Sequence, residues 1–306
     1  MIALIIIGSV LGVLLLVILG ILFWIYKKFF YTPQKDQNDI HKVEGIGKLL
    51  DPVKFHEQIE LMLSQPYEDL WVKSYDGLKL HGYFYENKNS DQYVLLFNGF
   101  RSLARRDYCQ RAMDLIQDGR NVILCEQRGH GESEGHFISL GRREQDDVIE
   151  WVKYARERFG EKARITVAGS SLGGTTVLLA SDKLPEDIKV FADSVYPGEK
   201  QIIQQIMRRR KYNPTFCWPF FYFSALLFGH VRLNDNCAKN VAKSKCKIMI
   251  VHCDQDTIVP MEMNKELFEA NHEHVQLAIF KNLQHALAYF KEHEKYKEIF
   301  YKFLDE

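Results

Sequence analysis

The sequence predicts an α/β protein: a mostly parallel central sheet with helices on both faces, a helical insertion over one edge, and one N-terminal transmembrane helix. Three observations carry that expectation. The chain opens on a long apolar run without a charged side chain, residues 2–26. From residue 67 an antiparallel hairpin pattern gives way to short β-branched runs alternating with helical ones, as a sheet covered on both faces requires. One strand-to-helix junction reads Gly169-x-Ser171-x-Gly173.

Residues 2–26 are mostly Ile, Leu and Val. At about 1.5 Å per residue they reach across roughly 30 Å of hydrocarbon with some tilt. Trp24 and Tyr26, then Lys27 and Lys28, supply interfacial aromatic and cationic anchors at the far end. A cleaved signal peptide would want positive charge before a shorter apolar run and a small-x-small site, none of which is evident. Residues 1–30 are therefore read as a membrane anchor. Both lysines follow the span, which places the remainder on the cytoplasmic side of the cell membrane. Residues 31–65 read as a juxtamembrane linker, with Pro33, Gly45, Gly47 and Pro52 as breakers and one amphipathic helix near 53–63.

Residues 66–306 read as one folded domain. Runs at 69–74 and 78–85 flank Asp76-Gly77, a hairpin turn signal. Strands are predicted at 93–97, 121–125, 165–167, 190–193, 247–252 and 276–280. Helices are predicted near 105–117, 143–159, 175–180, 261–270 and 286–304. Lys+Arg and Asp+Glu balance at 40 each, so no global positive field exists to hold a nucleic acid. The six cysteines lack C-x-x-C spacing, and neither a zinc site nor a disulfide framework is expected.

The pattern at Ser171 fits a nucleophile elbow, in which a serine sits on a strained turn and glycines two residues away remove clashing Cβ atoms. The turn aims the Leu172 amide, at a helix N-terminus, toward an anion forming above the hydroxyl. A serine attacks an ester only with an imidazole base in reach and a carboxylate to orient it. Such groups belong in loops beyond the carboxyl ends of parallel strands. Two loops qualify, Cys253-Asp254-Gln255-Asp256-Thr257-Ile258-Val259-Pro260 and Lys281-Asn282-Leu283-Gln284-His285, giving the order Ser171, Asp256, His285.

With Asn98-Gly99-Phe100-Arg101-Ser102, Arg128-Gly129-His130-Gly131-Glu132-Ser133, the elbow and Asp256-Thr257-Ile258-Val259-Pro260 in order, residues 67–304 resemble the α/β-hydrolase superfamily. The likeness is to its monoacylglycerol lipase, lysophospholipase-like and serine aminopeptidase branch. That resemblance implies the α/β-hydrolase fold, with Ser171 as nucleophile, Asp256 as acid, His285 as base, and the amides of Phe100 and Leu172 as oxyanion donors. The family usually carries His where Asn98 stands, which bears on the geometry of that loop. Asp254 is a rival acid, with Asp256 then a turn cap. His130 reads as part of a structural turn beside the site, and His272, His274 and His293 as surface residues. Glu144 and Asp147 read as complements to a helix dipole. Asp193 is open between supporting the base and a structural role.

The insertion at about 198–240, where this fold places its lid, holds Arg208-Arg209-Arg210-Lys211 and an aromatic run with Pro219 inside it. Trp218, Phe220, Phe221 and Phe223 are candidates to line an acyl pocket or meet the membrane, competing with a plain role as lid core. The expected activity is that of a membrane-anchored serine hydrolase acting on esters with lipid-like or apolar acyl groups, without metal or cofactor. A serine aminopeptidase and an inactive, membrane-tethered binding protein on the same scaffold are the alternatives.

Overall fold

A computed structural model describes residues 1–33, 40–41, 50–270 and 273–306. Among the described residues, eight strands form one sheet in the order β1-β2-β4-β3-β5-β6-β7-β8. They are β1 (Glu68–Lys73), β2 (Lys79–Tyr85), β3 (Gln92–Phe97), β4 (Asn121–Cys125), β5 (Arg164–Ser170), β6 (Lys189–Asp193), β7 (Ile248–Cys253) and β8 (Val275–Phe280). Only β2 runs against its neighbours; β4, β3, β5, β6, β7 and β8 are parallel, so their carboxyl ends share one edge.

The alternation along each strand explains the layering. Val94 and Leu96 point to one face, and Leu95 and Phe97 to the other. The first face is covered by α2 (Pro52–Leu63), α3 (Ala104–Gln117), α10 (Ala288–Lys291) and α11 (His293–Asp305). The second is covered by α4 (Glu144–Phe159), α5 (Leu172–Ala180), α8 (Cys237–Val241) and α9 (Lys265–Phe268). Every residue of α5 is buried, as suits a helix at the centre of the molecule. Buried Cys109 and Cys253 pack as small apolar side chains, and burial pushes both thiols up to about 12.

A third cluster roofs the carboxyl edge. It joins α6 (Glu199–Arg209), α7 (Pro214–Gly229), Phe137, Ile138 and Leu172 to the end of α1 (Ile2–Ile25) and the π-helical turn Tyr26–Phe30. The span Ile2–Phe30 is long and apolar enough to cross a membrane, with a mean hydropathy of 3.2 over its most apolar window.

Two expectations need correction. The stretch read as a juxtamembrane linker is packed on the domain at both of its described ends: the Thr32 amide bonds the His136 carbonyl at 3.0 Å, and Phe55, Ile59 and Met62 of α2 belong to the core. Gly45 and Gly47 lie outside the described residues. The last helix does not start at residue 286, because Ala286 takes a left-handed φ of 53°, and it breaks at Glu292 into α10 and α11. The aromatic run forms α7, 16 residues long with Pro219 inside it.

Candidate active site

The chain leaves β3 toward β4 and leaves β5 toward β6, on opposite sides, so the loops after β3 and β5 part at the switch point where parallel sheets of this kind bind their ligands. Ser171 stands there, between the last residue of β5 and the first of α5, at φ 55° and ψ −116°. A non-glycine residue held in such a region stores about 1–3 kcal/mol of strain. The flanking glycines are required by space. A Cβ on Gly173 would lie 1.8 Å from the Phe97 carbonyl oxygen, and one on Gly169 would lie 2.3 Å from the Gly173 carbonyl carbon. As the first residue of α5, Leu172 has an amide with no intrahelical acceptor.

His285 follows β8 and is buried. Its Nδ1 donates to Asp256 Oδ2 at 2.6 Å, leaving Nε2 with its lone pair. The other oxygen, Oδ1, accepts from the Ile258 amide at 2.8 Å and the Val259 amide at 2.7 Å. Asp256 is therefore both turn cap and imidazole partner. Asp254 caps a different turn, accepting from the Asn282 amide at 2.6 Å.

Two residues at the end of β6 link the halves of the site. The Ser171 amide donates to the Asp193 carbonyl at 2.8 Å, and the Ala286 amide donates to Ser194 Oγ at 2.9 Å. Ser194 in turn donates to Asp193 Oδ1 at 2.9 Å. The second Asp193 oxygen accepts from Tyr296 at 3.0 Å and meets Arg111 at 3.3 Å, inside a ring of Tyr108, Tyr289 and Tyr296. Asp193 is thus a buried brace behind the elbow. The sequence reading missed Ser194; its place directly after a parallel strand, in the same loop tier as Ser171, was the available signal.

On the β3 side, Asn98 does what an imidazole cannot. Its amide nitrogen donates to the carbonyls of Gly99 and Ser102, each at 3.0 Å, while its oxygen accepts from the Gln127 amide at 2.9 Å. A neutral imidazole offers one donor and one acceptor; the carboxamide supplies two donors and one acceptor. The amides flanking Phe100 are both committed, Gly99 to Asp107 Oδ2 at 2.8 Å and Arg101 to His130 Nε2 at 3.0 Å. His130 accepts there because its Nδ1 donates to the Arg128 carbonyl at 3.0 Å, and burial depresses its pKa.

Other candidates fall elsewhere. Asp147 pairs with buried Arg128 at 2.6 Å, and Glu144 accepts from the amides of Ser139 and Gly141 at 2.7 and 2.9 Å. Both hold loops rather than merely complementing a dipole. His293 is half-buried and meets Asp114 at 2.7 Å. His274 is half-buried too, and His272 lies outside the described residues. Of the lid aromatics, Phe221 is buried, with its ring 4.7 Å from that of Phe29. The reason is spacing, since Phe221, Ser224, Ala225 and Gly229 form one helical stripe against the N-terminal segment. Trp218 and Phe220 border the roof cluster, and Phe223 is half exposed.

A family model described as serine aminopeptidase, S33, matches residues 88–195, from before β3 to just past β6. The uncharacterized membrane protein YNL320W of Saccharomyces cerevisiae is 30% identical over 208 residues, covering 67% of this chain and 68% of its own length. The chain belongs to the α/β-hydrolase family. This hydrolase is also 26% identical over 160 residues to the lysophosphatidylserine lipase ABHD12 of Danio rerio, covering 49% of this chain and 39% of that one. Its fold is similar to that of the Pyrococcus furiosus esterase Pf2001, with a TM-score of 0.67, 22% identity, and 91% and 97% of the two chains covered.

Proposed function

We propose that this hydrolase is a membrane-anchored serine esterase, with Ser171 as nucleophile, His285 as base and Asp256 as orienting acid. The observation that carries the reading is the 2.6 Å bond from His285 Nδ1 to Asp256, which commits one ring nitrogen and leaves the other free to take a proton. Ser171 Oγ attacks the ester carbonyl as its proton passes to His285 Nε2. The tetrahedral oxyanion rests on the amides of Leu172 and Phe100. His285 then protonates the leaving alcohol, and water, deprotonated by the same ring, releases the acid. Asp256 stabilises the transient imidazolium.

The membrane reading is supported by the apolar helix, and an apolar acyl preference by the aromatic roof and the resemblance to a lipase. The family description favours one second reading, a peptidase. A panel of p-nitrophenyl esters of rising chain length, run beside aminoacyl anilides, separates the two. Hydrolysis of the esters that improves with chain length and vanishes in Ser171→Ala is the expected result. Turnover confined to the anilides would replace esterase with peptidase.

A further inference from the structure

Arg101 adjoins the proposed oxyanion donor and reaches back to the N-terminal segment. Its φ of 52° is a conformation that side chains rarely adopt, so something outside the loop must hold it. Two contacts do so. Its amide donates to His130 Nε2, and its guanidinium Nη2 donates to the carbonyls of Lys28 and Tyr31, each at 3.0 Å. Those carbonyls belong to the end of the helical segment, where intrahelical donors run out. A guanidinium has the reach and the several donors needed to serve two carbonyls at once.

The segment is itself seated firmly. Phe30 is buried with its ring 5.6 Å from Phe137 and 6.4 Å from Phe221, and its carbonyl accepts from the Ile138 amide at 2.8 Å. Further up, Ser224 of the lid donates to the Leu22 carbonyl at 2.8 Å. The N-terminal segment therefore touches both the roof and the loop that carries the Phe100 amide.

We propose that Arg101 is a positioning residue that strains the 99–101 loop into register by tying it to the seated N-terminal segment, so that this seating sets the rate of ester hydrolysis. The inference rests on the oxyanion-hole reading given above. Without the guanidinium tether, residue 101 relaxes out of the left-handed region, and the adjoining Phe100 peptide turns with it. An oxyanion donor is worth on the order of 10²–10³ in kcat, and its mispositioning forfeits part of that.

The test uses the full chain in detergent micelles, with kcat and KM for p-nitrophenyl butyrate. Arg101→Ala should lower kcat about 10–100-fold with KM and thermal midpoint nearly unchanged, since a donor lost only in the transition state has that signature. Arg101→Lys, which keeps the charge, should recover part of kcat. Phe30→Leu, which loosens the seat, should also lower kcat, and the double variant should be no slower than Arg101→Ala alone, because coupled residues are not additive. Unchanged kcat in Arg101→Ala, a loss confined to KM, or multiplying effects in the double variant would overturn the proposal. Should Arg101→Ala fail to fold, Arg101→Lys decides: lower kcat at an unchanged midpoint supports it, and loss of both together sinks it. Residual full hydrolysis in Ser171→Ala would indict the site reading instead, whereas an inactive Ser171→Ala beside a fully active Arg101→Ala condemns the tether alone.

Discussion

Asp256 divides its two carboxylate oxygens between a turn and an imidazole, while Asp254, two residues earlier, meets the Asn282 amide and the Lys281 ammonium. Asp256→Asn should therefore lower kcat by about 10³–10⁴-fold, because an amide nitrogen facing Nδ1 favours the wrong tautomer. Asp254→Asn should leave the rate within a few-fold, and steady-state kinetics on one ester checks both. Among buried histidines the signs differ. Burial holds His130 below its ordinary pKa, so the unfolded chain takes up a proton first as pH falls below about 6.5, and stability declines on the acid side. For His81, burial pulls the same way, but hydrogen bonds with Glu126 and Asp69 outweigh it and raise the pKa. Its contribution is complete below about 6.5 and is lost as pH rises through the folded value. Urea unfolding across pH 5.5–7.5 should thus show a shallower acid loss in His130→Gln and a steeper one in His81→Gln, by at most about 1.4 kcal/mol per pH unit. Equal slopes in both variants would contradict these assignments.

At the level of elements, the elbow was legible because its glycines answer to local crowding. Gly173→Ala would drive a methyl into the Phe97 carbonyl and should cost about 4 kcal/mol or more, or prevent folding, as read by the urea midpoint. A Gly173→Ala variant as stable as the parent would refute the close packing at the elbow. The hairpin and the alternating strands were legible for the same kind of reason, since each is written in a few adjacent residues. The break at Glu292 was not: no proline or glycine lies between 286 and 304 to mark it. Nor was the role of α7, whose buried stripe is defined by what it meets. A Cβ on Gly229 would sit 2.3 Å from the Phe137 ring, a partner nearly a hundred positions away along the chain.

Across the whole molecule, what escaped the sequence is long-range pairing. Composition marked residues 2–26 as apolar, but could not say that Tyr31 bridges Phe137 or that Arg101 reaches Lys28. Those contacts make the N-terminal segment part of the roof rather than a tether on a loose linker. Deleting residues 2–25 should move the protein from the membrane fraction to the supernatant while the Phe30 seat remains. Deleting residues 2–33 should in addition lower the thermal midpoint by several degrees, because it exposes Phe137, Phe221 and Ala225. Identical midpoints for the two truncations would show that the seat contributes nothing to stability. The measurement that bears most directly on the enzyme reading is the site of covalent labelling by a fluorophosphonate, located by peptide mass spectrometry on the full-length protein. The predicted result is one adduct, on Ser171 and absent from Ser171→Ala; an adduct on neighbouring Ser170, or none on the folded chain, would contradict it.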